Sequence, residues 1–146
     1  MKVIGFNLDE MHSKKSFDFK HMAISTDVLF TEVEKTKVDL IKDNEALKIE
    51  FKFTVSYKDS EKKDSQEKNE VTISGNILLM VSKEEAKDFL KSWKSKEIPR
   101  DKALTLYNFV LKKCSIKALQ LEEDTNLPFH IPFPQIHNQN QDTQQK

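Results

Sequence analysis

Two stretches decide the fold: LKIEFKFTVSY, Leu47 to Tyr57, and VTISGNILLMV, Val71 to Val81. In the first, Leu47, Ile49, Phe51, Phe53, Val55 and Tyr57 alternate with Lys48, Glu50, Lys52, Thr54 and Ser56. In the second, Val71, Ile73, Gly75, Ile77, Leu79 and Val81 alternate with Thr72, Ser74, Asn76, Leu78 and Met80. A period of two sends successive side chains to opposite faces of a sheet. The first set of each stretch therefore meets a core, and the second set faces mostly solvent. Between them Lys58 to Glu70 contains no apolar residue, which predicts a long, mobile hairpin loop. The two strands form an antiparallel pair.

Towards the N-terminus the alternation weakens. Val3 to Leu8 and Ile24 to Val33 read as two further strands, the latter carrying β-branched Thr26, Val28, Thr31 and Val33. Met11 to Met22 holds Phe17, Phe19 and Met22 among lysines and serines, and it reads as a crossover loop. Towards the C-terminus the period changes. Ser82-Lys83-Glu84-Glu85 is a capping box, followed by Ala86, Phe89, Leu90 and Trp93 on one helical face. Pro99 opens a second, longer helix. Along it Ala103, Tyr107, Val110, Cys114, Ala118 and Leu121 form a stripe, widened by Leu104, Leu106, Phe109 and Leu111. A stripe so broad implies cover on more than one side. The sequence thus reads as one α+β domain over residues 1–136. The proline-rich Asn126 to Ile136, NLPFHIPFPQI, is an extended run. Residues 137–146 form a polar tail whose composition predicts disorder.

Chain length and composition bound the function. The length of 146 residues suits one domain that needs no staples. Lys plus Arg and Asp plus Glu each total 24, so the basic excess of a nucleic-acid binder is missing. With two glycines in the chain, no phosphate-cradling loop can be assembled. The one cysteine, Cys114, cannot pair internally, and the expectation is a reducing, cytoplasmic home. The N-terminus carries no signal-peptide pattern, and no stretch reaches the roughly 18 apolar residues that span a bilayer.

Catalytic chemistry finds little support. His12, His21, His130 and His137 lack zinc-ligand spacing. His130 and His137 read as solvated tail histidines. Cys114, within an apolar stripe, reads as a core residue. Glu122, Glu123 and Asp124 read as a solvated helix end. No cofactor or metal is expected. The stronger signal is apolar surplus outside the regular sheet core: Phe17, Phe19 and Met22 in the crossover, Trp93 near a helix end, and Phe129, Ile131 and Phe133 in the proline-rich run. These seven residues are the expected peptide-binding set, a surface suited to extended polypeptide.

The order of elements resembles the SecB family of export chaperones. The resemblance rests on Leu47 to Tyr57, Ile73 to Leu79 around Gly75, the helix opened by Ile98-Pro99, and Leu127 to Pro134, and it covers roughly Val3 to Ile136. The chain is also similar to small archaeal proteins that end in a Leu-Pro-x-x-Ile-Pro-x-Pro motif. The SecB resemblance implies a four-stranded antiparallel sheet with two C-terminal helices packed on it, assembled as a homodimer or a dimer of dimers. It further implies an ATP-independent holdase that grips unfolded clients in hydrophobic grooves. Two features depart from that family: this chain is neutral where the bacterial members are acidic, and its tail HNQNQDTQQK lacks the zinc ligands that dock the export ATPase. An adaptor that recognises one folded partner through the proline-rich run is the alternative, and a small ligand carrier or hydrolase is a third.

Overall fold

The computed structural model describes residues 1–16, 22–39, 43–59 and 68–138 of the chain. Six elements follow in order: β1 (Lys2–Lys14), β2 (Met22–Thr36), β3 (Glu45–Asp59), β4 (Asn69–Val81), α1 (Lys83–Trp93) and α2 (Arg100–Asp124). The strands form a single antiparallel sheet in the order β1-β4-β3-β2, a Greek-key arrangement with β1 and β2 at opposite edges. Both helices follow the sheet. The α+β class, the four strands and the two C-terminal helices are those anticipated from periodicity.

The central pair has the expected register. Leu47 lies opposite Leu79, Ile49 opposite Ile77, Phe53 opposite Ile73 and Val55 opposite Val71. All eight are fully buried on the helix-facing side. Gly75, opposite Phe51, has its own reason. A Cβ built there would lie 3.1 Å from the Cα of Leu8 and closer still to the Asn7 carbonyl. Glycine is thus demanded by the close approach of β1, which is bulged between Leu8 and Glu10. Beside this point Phe6 stacks on Phe51 at 5.5 Å between ring centroids and meets Phe109 of α2 edge-on at 5.5 Å.

The structure corrects several sequence expectations. Met11 belongs to β1, which runs on to Lys14 through pairing with β4, so the crossover is shorter than Met11 to Met22. Weak alternation hid this extension because the two bulges of β1 shift the face each residue presents. Asn76, placed on the solvent side, is buried, and its side chain accepts from Asn7 Nδ2 at 3.2 Å. Of the mobile loop expected over Lys58 to Glu70, Lys58 and Asp59 belong to β3 and Asn69 and Glu70 to β4, since both strands pair beyond their apolar stretch; residues 60–67, and residues 139–146 of the tail, lie outside the described residues.

The helices are set by local chemistry. Ser82 Oγ accepts from the Glu85 amide at 3.1 Å, and Glu85 Oε1 accepts from the Ser82 amide at 3.2 Å. This completes the capping box and turns Ala86, Phe89 and Trp93 onto the sheet. After α1 the chain reverses through Lys96, at φ 57°, and Pro99 starts α2. The buried row of α2 is Leu106, Val110, Cys114, Ala118 and Glu122. It is a strict every-fourth-residue ridge, narrower than the expected stripe. Leu104, Tyr107 and Ile116 are exposed at its flanks, at 71%, 37% and 65%. A single sheet face covers a helix on one side only, and those side chains fall beyond it.

Candidate polypeptide-binding surface

Where α2 ends, its closure decides where the following segment goes. The Asn126 amide donates to Glu123 O at 3.3 Å and the Leu127 amide to Glu122 O at 2.9 Å. Asn126 takes the left-handed φ of 56°. This is the Schellman closure, with asparagine in the place glycine most often fills. Leu127 follows as its apolar partner and is buried. The chain is thereby turned back along α2 and over the end of β3.

Four side chains then fasten it. Tyr57 of β3 donates its hydroxyl to the Pro128 carbonyl at 2.7 Å. The backbone amide of His130 donates to Glu122 Oε1 at 3.1 Å. The His130 Nδ1 lies 2.5 and 2.9 Å from the two Glu122 oxygens, and its Nε2 lies 3.3 Å from Ser115 Oγ. The imidazole also meets the Phe53 ring edge-on at 6.1 Å. Burial, reinforced by the negative charge and hydrogen bonding of Glu122, pushes the Tyr57 hydroxyl above its ordinary range. It therefore stays protonated and keeps its donor.

Glu122 and His130 overturn the expectation of solvated groups: their side chains are 0% and 3% exposed. A charged carboxylate removed from water needs compensating donors, and here the arm itself supplies them. Two sequence signals could have located this pair. Glu122 continues the every-fourth-residue row of Leu106, Val110, Cys114 and Ala118, and a carboxylate on an apolar row calls for a buried partner. Asn126-Leu127 is also the composition of a Schellman closure. Ser115, His130 and Glu122 stand in the order of a nucleophile relay. Ser115, however, sits inside α2, where the neighbouring amides are spent on helix bonds and none points outward to hold an oxyanion.

After Leu127 the arm stops burying large apolar groups. Phe129, Ile131, Phe133 and Ile136 are exposed at 43%, 40%, 55% and 103%. Phe129 and Phe133 touch each other at 5.1 Å between centroids. The structure thus places Phe129, Ile131 and Phe133 together on one outward segment. Met22 opens β2 at the far edge and is half-buried against the core. Trp93 departs from expectation. It is part of the core, 8% exposed, and its Nε1 donates to Glu32 Oε1 at 3.0 Å across the β2 edge. Position near the end of α1 misled, because the turn at Lys96 folds back over its ring, with Nζ 4.9 Å from the centroid. Phe17 and Phe19 lie outside the described residues.

An opening of about 270 Å³ with a mixed polar and apolar lining lies beneath the turn between the helices. Leu29, Phe30, Trp93, Ile98 and Tyr107 line it, with Lys96 and Arg100 beside them. Phe30 and Tyr107 approach to 4.8 Å between ring centroids. Cys114 lies in the core as read from sequence, its thiol pushed up to about 12 by burial. Among the described residues no three His, Cys, Asp or Glu side chains converge to hold a metal ion, and no helix is long and apolar enough to cross a membrane. No protein-family model and no curated protein sequence matches this chain.

Proposed function

We propose that this protein holds unfolded or extended polypeptides against apolar surface, passively and without nucleotide or cofactor, as a SecB-like homo-oligomeric holdase. The observation that carries this reading is the C-terminal arm. Its root is tied down by buried polar contacts, while the side chains of Phe129 within it and of Ile131, Phe133 and Ile136 after it are left in solvent. Burying a large apolar side chain gains roughly 1.5–3 kcal/mol, so a segment that forgoes this several times over is available to a partner. The opening beside Phe30 and Tyr107, which Lys96, Glu97 and Arg100 also line, adds a second surface that joins aromatic and charged groups. Phe17, Phe19 and Met22 join the proposed surface on sequence grounds.

The test is aggregation of a chemically unfolded model protein, followed by light scattering, with purified protein at stoichiometric ratio and no nucleotide. Protection of several unrelated clients supports holding. Failure with all of them, together with capture of one folded partner, assigns the chain to the adaptor class instead. Replacing Phe129, Ile131 and Phe133 together by serine should weaken protection while leaving the melting temperature nearly unchanged, because those side chains are already exposed.

A further inference from the structure

The root of the arm is held in a way that suits more than this one segment. Two of its fastenings are to backbone: Tyr57 reads the carbonyl of Pro128, and Glu122 reads the amide of His130 two residues on. Backbone groups carry no sequence identity, and reading them at alternate positions is how proteins grip extended peptide. Only two side chains of the segment are used, Leu127 in an apolar seat and His130 as a donor to Glu122.

We infer that the seat formed by Phe53, Tyr57, Ser115 and Glu122 is a binding site for extended polypeptide, occupied at rest by the chain's own residues 127–130 as an internal pseudo-ligand. The partner it fits has a large aliphatic residue at a first position, any residue offering a free carbonyl at the second, and a proton-donating side chain at the fourth. That donor is histidine, lysine, arginine or an amide. An acidic residue at the fourth position is excluded, because it would set acceptor oxygens against the buried acceptor oxygens of Glu122 in place of a donor.

Release of the resident segment is built in. The side chains of its root that are buried are Leu127 and His130, the latter against Glu122, so its side-chain hold is concentrated in two residues. A competing segment that supplies the same aliphatic and the same donor leaves no buried carboxylate unpaired, whereas a segment lacking the donor does. This inference rests on the proposed holding function and names the chemistry of the segments held.

The experiment uses full-length protein and a fluorescent peptide, NLPFHIPFPQI, with binding followed by anisotropy. A resident segment lowers the apparent affinity for any competitor by the fraction of time the seat is free. The His130→Ala protein loosens the resident segment and leaves Tyr57 and Glu122 in place. It should bind the peptide about tenfold or more tightly than wild type, since the peptide restores the missing imidazole. A His130→Lys peptide should bind comparably, and a His130→Glu peptide should not. If the His130→Ala protein does not fold, the Leu127→Ser protein provides the same loosening. Equal binding of the histidine and glutamate peptides would overturn the inference, as would absence of any gain over wild type. A loosened variant that forms a dimer and excludes the peptide would overturn it too, by giving the seat to the arm of a second copy. Tight peptide binding in a protein that fails to protect clients would uphold the seat and remove the general holdase. Client protection without any gain in peptide binding would do the reverse.

Discussion

At the scale of single residues, the fold is most sensitive where space or charge leaves no choice. Gly75→Ala forces a methyl group into the backbone of β1 at Asn7 and Leu8. Overpacking of that kind costs about 1–3 kcal/mol, so urea unfolding should show a lowered midpoint with an unchanged slope. Glu85 sets an acid limit. The Ser82 backbone amide beside it, together with the Met1 amine and Lys102 Nζ, holds its carboxyl down to about 2, against desolvation acting the other way. A carboxylate depressed on folding contributes stability that is present above its unfolded value. That stability is lost as pH falls from the unfolded value through about 2. Thermal melts should therefore decline through that acid window in wild type and less steeply in Glu85→Gln. Ser82→Ala, which removes the other half of the capping box, should cost about 1 kcal/mol. Cys114 should resist thiol reagents in the native state at mildly alkaline pH and react once the protein is unfolded, because burial holds it protonated.

At the scale of elements, the C-terminus divides at Ile136 and again at Asn126. Ending the chain after Ile136 should leave the melting temperature unchanged, since His137 and Asn138 are exposed. Ending it after Asn126 should destabilise strongly. Leu127 burial is lost, and removing one partner of a buried pair typically costs about 3–5 kcal/mol, here by stranding Glu122. Differential scanning calorimetry of the two truncations separates these cases, and equal stability would place the anchor elsewhere. The strands and helices were legible because their signals are local. Alternation in Leu47 to Tyr57 and Val71 to Val81, the Ser82 to Glu85 box and Pro99 each depend on neighbours within one or two turns. What escaped depends on distant partners. Nothing next to His130 in sequence announces Glu122, and the every-fourth-residue row that points to Glu122 on α2 says nothing of the arm that pairs with it. Trp93 was misplaced for a related reason, since its cover comes from β2 and from the turn at Lys96. The prolines around Phe129, Ile131 and Phe133 made it legible that the run joins no helix or central strand, but not whether these side chains are covered, which depends on the distant sheet.

At the scale of the whole molecule, the outer flank of α2 with Leu104, Tyr107 and Ile116, and the arm with Phe129 to Ile136, present apolar surface that one copy leaves open. Light scattering at micromolar protein should give a dimer or tetramer, in keeping with the proposed assembly. A monomer at that concentration would remove association through α2 while leaving peptide binding to be judged by itself. The sheet order has a further consequence in time. Lys2 pairs with Met80, 80 − 2 = 78 residues downstream, and the rest of β1 pairs with β4 likewise. At roughly 5–20 residues per second of synthesis, the start of β1 waits roughly 4–16 s for its partner, so β1 is made long before it can be matched. During that interval Val3, Phe6 and Leu8 have no sheet to join. Until β4 is made, β1 is thus a stretch that depends on being shielded by something else.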